Sequence, residues 1–509
     1  MNKILVYIFL FFLFISPLYP DENYLDLFED NSNDLTKEDN SASGQNEFAV
    51  KNDFMLEING EHSFTFHFPT DKDHFDFEGN IKAPRFRNDM GLEIKYKELK
   101  LVSNGRFDIL LNDFSVWYKV LKIQPLENYI RWSPWKLTFT AGYQFYNWGV
   151  ADQLNPTDNI NPRDFTTGMK ADKLPALSLS AKIYPLDFFS IEAIYVPFEQ
   201  NDVFPVDVIS KIPDKLFYKK SSNTSYDDFD FNPVCFLLGG KVNFFFSSID
   251  FSFSYLYDFD NSWTPVITME IPTGYFYNVE EIQLERKRIH RFGADVKGNI
   301  DRVSLWLEVC YSLSEDYLLN DYRVRNHNFQ WVTGFDTTLG PDDLFYINFQ
   351  IMGEFIPFFD DGFYKDYEDG LPDADEADNE KYMEEYYYRV LTDKLGSYQE
   401  GLNLGAFIKL KWKFLNELFV PEISTGYVVP LIYDYDKYDR YGALYLKPLV
   451  DIMPFDSFHI TVGAELYFSW KYDADEKEWT SDSYKMGNYV NDSNIYLTIK
   501  YKWNYQFRK

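Results

Sequence analysis

Ile495-Tyr-Leu497-Thr-Ile499-Lys-Tyr501-Lys-Trp503-Asn-Tyr505-Gln-Phe507-Arg508 is the stretch whose reading decides the fold. Its odd positions are all aliphatic or aromatic, while its even positions run Tyr496, Thr498, Lys500, Lys502, Asn504, Gln506, Arg508. Successive side chains of a β-strand point to opposite faces, so one face here is wholly apolar and the other almost wholly polar. The same period recurs upstream. Phe458, Ile460, Val462, Ala464, Leu466, Phe468 and Trp470 alternate with His459, Thr461, Gly463, Glu465, Tyr467 and Ser469. Leu402, Leu404, Ala406, Ile408, Leu410, Trp412 and Phe414 alternate with Asn403, Gly405, Lys409, Lys411 and Lys413, with Phe407 as the exception. Near the start, Phe54, Leu56, Ile58, Phe64, Phe66 and Phe68 alternate with Glu57, Asn59, Glu61 and Thr65.

Length separates a membrane sheet from a soluble one. Globular strands average about 5 to 6 residues and a tilted membrane strand needs about 9 to 11; the alternating runs here exceed both. Aromatics gather near their ends (Trp412, Trp470, Trp503 to Phe507), as interfacial girdles require. Short turns near 246–249, 298–301, 340–343 and 454–457 alternate with long polar segments near 148–173, 199–232, 259–287, 313–327, 356–400 and 471–492. Short turns on one rim and long loops on the other describe a barrel, whose closure removes exposed strand edges. The expectation is an all-β fold: one transmembrane antiparallel β-barrel of about 16–18 strands with long acidic extracellular loops. Residues 86–120 fit one or two hairpins, and 263–272 fit a strand or part of a loop.

The chain has 509 residues, 20% aromatic, with 49 Lys+Arg against 80 Asp+Glu. So much aromatic surface excludes a disordered chain, and the acidic excess argues against nucleic acid, whose phosphates need clustered basic residues. Lys3, the apolar run from Ile4 to Ile15 and the break at Ser16 and Pro17 read as a signal peptide over 1–20, too short to span a bilayer. Residues 21–47 carry nine acids against Lys37 and read as a solvated acidic tail, leaving 48–509 for the barrel. Residues 356–400 hold fourteen acids and four bases, with a short helix expected near 381–390. Neither segment is long enough to be a plug domain. Cys235 and Cys310 lie in apolar runs and are expected as free thiols, buried or lipid-facing.

One loop stands apart. After Gly142-Tyr-Gln144 the chain reads Trp148-Gly149, Asp152, then Asn155-Pro156-Thr157-Asp158 and Asn161-Pro162-Arg163-Asp164. Each Asn-Pro-x-Asp unit is a turn whose Asn and Asp can bond neighbouring backbone and whose Pro presets φ. This segment resembles a family of bacterial outer-membrane porin-like barrels of unknown function, in which a strand ending Gly-x-Gln leads to Trp-Gly, an acidic residue and Asn-Pro-x-Asp. Leu174-Pro175-Ala176-Leu177, Glu192 and Val196-Pro197 extend the likeness over roughly 136–205, while Tyr143 replaces the family's usual Arg. The resemblance implies a porin-type barrel in the outer membrane and names no solute. Two readings of the loop follow: a constriction in which Arg163 faces Asp152, Asp158 and Asp164 across the lumen, or a self-bonded brace of the wall. A loop anchored by Trp148 and Asn155, with Arg163 exposed to the lumen, would combine them.

The six histidines have no metal-ligand spacing, and neither a nucleophile elbow nor a phosphate-binding Gly loop occurs, so no enzymatic activity and no cofactor are expected. Lys409, Lys411, Lys413, Lys500 and Lys502 are candidate lumen charges. Sixteen or more strands leave an aqueous interior, so the expected function is passive passage of small solutes. The alternatives are an adhesin or structural barrel acting through its loops, and a transporter of hydrophobic solutes. The expected partners are outer-membrane lipid, the solutes, and the barrel-assembly machinery through the C-terminal strand. No motif identifies the solute or the oligomeric state.

Overall fold

The computed structural model describes residues 54–70, 84–110, 121–152, 155–164, 171–198, 202, 236–260, 264–270, 278–285, 287–318, 324, 326–357, 401–432, 440–473, 478–481 and 493–508. The expected signal peptide 1–20, the acidic tail 21–47, the helix near 381–390 and Cys235 lie outside the described residues.

Within them, 18 antiparallel strands close into one barrel. They are β1 (Phe54–Pro69), β2 (Arg85–Tyr96), β3 (Leu99–Leu110), β4 (Leu121–Trp132), β5 (Leu137–Gln144), β6 (Ala176–Leu186), β7 (Phe189–Val196), β8 (Leu237–Phe245) and β9 (Ile249–Phe259). The second half comprises β10 (Arg288–Ile300), β11 (Val303–Ser314), β12 (Asn328–Leu339), β13 (Phe345–Ile356), β14 (Gly401–Trp412), β15 (Phe419–Ile432), β16 (Arg440–Phe455), β17 (Phe458–Asp473) and β18 (Asn494–Arg508). Neighbours in sequence pair throughout, and β1 also pairs with β18 from Met55↔Arg508 to Pro69↔Asn494, which leaves no free edge. Both open points resolve. Residues 85–110 form one hairpin with β4 following, and 264–270 pair with 278–285 in a separate two-stranded ribbon outside the barrel sheet.

All connections on the side of the first and last described strand ends are short: 97–98, 133–136, 187–188, 246–248, 301–302, 340–344, 413–418 and 456–457. Those joining the opposite strand ends are longer, and 145–175 is among them. The described non-glycine residues with positive φ all lie in the short turns, Lys97 and Asp301 for example, because a tight reversal between twisted strands needs the left-handed region.

The exterior is apolar. Ile499 is 37% and Phe507 44% exposed, and Val462, Phe468, Phe253 and Phe292 are likewise open, whereas Tyr496, Tyr467 and His459 of the opposite parity are buried. That is the facing the alternation predicted. The exception Phe407 is buried on the lumen side, opposite Gln350 and Gly426 in the register. Cys310 is a free thiol, also buried on the inner face.

Candidate functional site

On the inner wall, Ile194 and Val196 on β7, Leu237 on β8 and Leu256 on β9 form an apolar patch where a water-filled lumen would call for polar residues. The 145–175 loop covers them. Tyr146, Trp148 and Ile160 pack with these four and with Ala176 into a buried cluster, Trp148 being 3% exposed. The loop therefore folds into the barrel. Trp148→Ala is expected to cost its docking about 3–5 kcal/mol, read as faster tryptic cleavage at Arg163 and Lys173 in barrels that remain heat-modifiable. Unchanged protection would mean that this cluster does not hold the loop.

From this anchor the loop reaches the far wall. Glu308 on β11, 0% exposed, accepts hydrogen bonds from the backbone N–H of Val150 (2.9 Å), Ala151 (3.3 Å) and Thr157 (2.8 Å) and from the Thr157 hydroxyl (2.9 Å). Four donors thus converge on one carboxylate, and hydrogen bonds to a charged acceptor are among the strongest available. Gly149 is required here. Its φ is +100°, and a Cβ would collide with Asn155 Oδ1 and Glu308 Oε2. Asp152 continues the contact to β13, accepting from the Asn348 amide and from the Tyr346 hydroxyl at 3.4 Å.

The twin Asn-Pro-x-Asp units have different jobs. In the first, Asp158 N–H bonds Asn155 O (3.1 Å), closing the turn, and the Asp158 carboxylate pairs with Lys173 and, at 3.4 Å, with Arg163. In the second, Asn161 staples the two ends of the loop, accepting from Tyr146 N–H (2.6 Å) and donating to the carbonyls of Gln144 and Leu174 (2.9 Å each). Arg163-Asp164 then pairs with Asp172-Lys173 as a two-residue ribbon. Asp164 takes Lys122 of β4 at 2.9 Å, and Asp172 takes Arg87 of β2 and Arg106 of β3 at 3.5 Å each. Burial pulls the Lys173 ammonium below the ordinary lysine range, with Asp158 drawing it back. Burial also pushes the Tyr146 phenol up to about 12, so it stays neutral while sharing a hydrogen bond with Ser178 Oγ at 2.8 Å.

Of the residues expected to set a transverse field, Arg163, Asp152, Asp158 and Asp164, the acids all have partners in this geometry. The Asp158 and Asp164 side chains are 5% and 4% exposed and neutralised by the cations just named, because charges taken from water need a partner at hand. Arg163 is 31% exposed by its side chain and shares Asp158. Trp148 lies in the buried cluster described above. Asn155 only caps its own turn, through Ala151 O and Thr157 Oγ1.

No protein-family model matches this chain, and neither does any curated protein. Solved structures that it resembles include the outer-membrane protein OpdK of Pseudomonas aeruginosa, at 6% identity over 89% of this chain and 99% of that one, with a TM-score of 0.49. Acinetobacter baumannii OccAB4 (7% identity, 89% and 98% covered, TM-score 0.47) and Pseudomonas aeruginosa OpdQ (9%, 90% and 99%, 0.47) are similar in the same degree. A porin-like barrel is the fold found, but the Trp-Gly and Asn-Pro-x-Asp signature of residues 136–205 matches no family model.

The lumen lysines are paired rather than arrayed as a ring. Lys409 meets Glu422 at 3.5 Å, Lys500 meets Glu61 at 3.2 Å, and Lys447, absent from the sequence reading, meets Glu465 at 2.7 Å. Lys411 and Lys502 stand opposite Glu422 and Glu61 in the register. Lys413 departs from expectation: it lies past the end of β14, in the 413–418 turn, and pairs with Glu417 at 2.7 Å. Glu308, Arg87, Arg106 and Lys122 are the site residues the sequence reading missed. Alternation places all four on the inner face, but nothing local to β2–β4 or β11 signals a loop above them.

Proposed function

We propose that this chain is a bacterial outer-membrane channel for passive passage of small solutes, exported by its N-terminal segment, with residues 145–175 setting the aperture. The observation that carries the reading is the reach of one loop from β5 to Glu308 and Asn348 on one side and to Arg87, Arg106 and Lys122 on the other. An 18-strand barrel at ~4.8 Å strand spacing and ~40° tilt is about 35 Å across its backbone. Such an interior discriminates little by itself, whereas a docked loop divides it. Cross-strand ion pairs on the wall keep the lumen polar without a strong field of either sign.

Planar-bilayer recording tests this. We expect discrete conductance steps and, from the acidic excess of the chain, weak cation preference in the reversal potential under a salt gradient. The preference should fade as the Debye length falls from about 30 Å at 0.01 M to about 3 Å at 1 M. A barrel that inserts without conducting would favour the adhesin reading. Anion preference would overturn the selectivity and point to Lys409, Lys411, Lys500 and Lys502.

A further inference from the structure

The tips of the short turns carry apolar side chains. Trp135 in the 133–136 turn is 86% exposed and Leu415 in the 413–418 turn 76%, and Phe455 and Ile300, at the ends of β16 and β10, are nearly as open. The other four turns are tipped or flanked in the same way: Tyr96 and Leu99 beside 97–98, Phe188 and Phe246 in theirs, Leu339 and Leu344 at 340–344. All eight therefore present an exposed aliphatic or aromatic group. Two of them do so against the preference of the backbone. Trp135 (φ +55°) and Leu415 (φ +56°) occupy the left-handed region, where a Cβ is crowded and glycine or asparagine is the easy choice.

These groups run on from the apolar outer wall without a break. Phe246 stacks on Phe188 at 6.0 Å between ring centroids and on Phe251 at 5.8 Å, and Phe251 meets Phe253, 6.0 Å away along the outer face of β9. Trp132 and Phe139, stacked at 6.0 Å, flank the turn of Trp135, and Phe414 and Phe419, at 6.4 Å, flank that of Leu415. The turns are two to six residues long, so no tip projects far beyond its strands. Charge gives this rim no single sign: Lys97 adjoins Glu98 and Arg302 adjoins Asp301, while Asp342 and Asp343 have no base in their own turn.

Resting on the membrane-barrel reading, we propose that the short-turn rim is itself seated in the lipid leaflet, its turn tips lying among the headgroups and the first acyl carbons instead of projecting into water. Isolated exposed apolar residues need no explanation, but a continuous apolar surface marks a protein or a membrane contact. The distribution decides between these two. A protein partner covers a sector of a rim, whereas lipid surrounds a barrel on every side, and the apolar tips occupy the whole circumference. Aromatic side chains suit this depth because their rings tolerate both the wet and the dry side of a bilayer border. The contact is apolar, so it needs no anionic headgroup and persists in high salt, which screens only charge. For transport the consequence is that the lumen opens at the membrane surface, with no vestibule built from the turns.

Trp135→Cys, Leu415→Cys and Phe455→Cys, each carrying a thiol-linked fluorophore in phosphatidylcholine vesicles, test this, with Leu305→Cys on the outer face of β11 as the reporter of the wall and labelled wild type as the blank for native thiols. The three rim residues are exposed and lie in or beside turns, so the barrels should keep heat-modifiable mobility. Brominated acyl chains are expected to quench all four dyes by roughly twofold or more, as at an interfacial depth, and aqueous iodide to quench the rim dyes far less than the free dye, equally at low and high salt. Iodide quenching at the rim as strong as that of the free dye, with Leu305→Cys still quenched by the brominated chains, would place the tips in water and overturn the proposal while the barrel reading stands. Lipid quenching at only one or two of the rim sites would mean a covered sector and would overturn it equally. No lipid quenching at Leu305→Cys either would strike at the membrane-barrel reading itself, and at the seated rim with it.

Discussion

Replacing Glu308 with alanine is expected to release the 145–175 loop from the β11 wall and to raise single-channel conductance severalfold, with added open-channel noise. The change strands the buried N–H groups of Val150, Ala151 and Thr157, which lose their common acceptor. Leaving a buried donor unsatisfied costs roughly 1–3 kcal/mol each, enough together to undock this side of the loop even if water replaces part of the loss. The barrel should survive, because the β10–β11 and β11–β12 ladders run through backbone groups that the substitution does not touch. Glu308→Gln should fall between, since its amide NH₂ would confront donors where an oxygen now accepts. Wild-type conductance in Glu308→Ala would remove the loop from control of the aperture.

Ile499→Lys is expected to reduce the yield of heat-modifiable barrel sharply, while Lys500→Gln leaves it near wild type. Ile499 lies on the outer face, opposite Phe64 of β1 and Ile460 of β17, in the strand that closes the barrel. A lipid-facing charge near the bilayer midplane costs roughly 2–4 kcal/mol. Lys500 faces inward and pairs with Glu61 at 3.2 Å, both side chains partly open to the lumen. Loss of a pair of this kind costs about 0–1 kcal/mol. If β18 is also the strand that the assembly machinery reads, as we propose, the defect should appear as unassembled protein in the periplasm. Equal yields for the two substitutions would reverse the facing of β18.

The two substitutions differ in how much of their rationale the sequence alone supplies. For Ile499 it supplies nearly all: a strand declares its faces through its own period of two, and a run of apolar residues at every second position over Ile495–Phe507 needs no knowledge of its neighbours to be assigned a side. Strand length and the spacing of short turns are equally local, so the barrel class and the rim on which the turns lie were legible. The first Asn-Pro-x-Asp unit closes on itself through Asp158 N–H and Asn155 O, whereas Asn161 of the second bonds Tyr146, Gln144 and Leu174, partners that its own turn does not contain. For Glu308 the sequence supplies only its inward direction. Its four donors lie 151 to 158 residues upstream, and no periodicity of β11 reports what a loop from β5 will do above it. Asp158 and Asp164 looked like free lumen charges because their partners, Lys173 and Lys122, come from the loop's own return and from β4. Ile194, Val196, Leu237 and Leu256 carried a faint signal, as apolar residues on the inward-facing positions of three neighbouring strands, but which segment covers them was decided by the folded chain. Which way a side chain points is set by backbone geometry within a few residues. What it meets there depends on where distant segments come to rest once the barrel has closed around them.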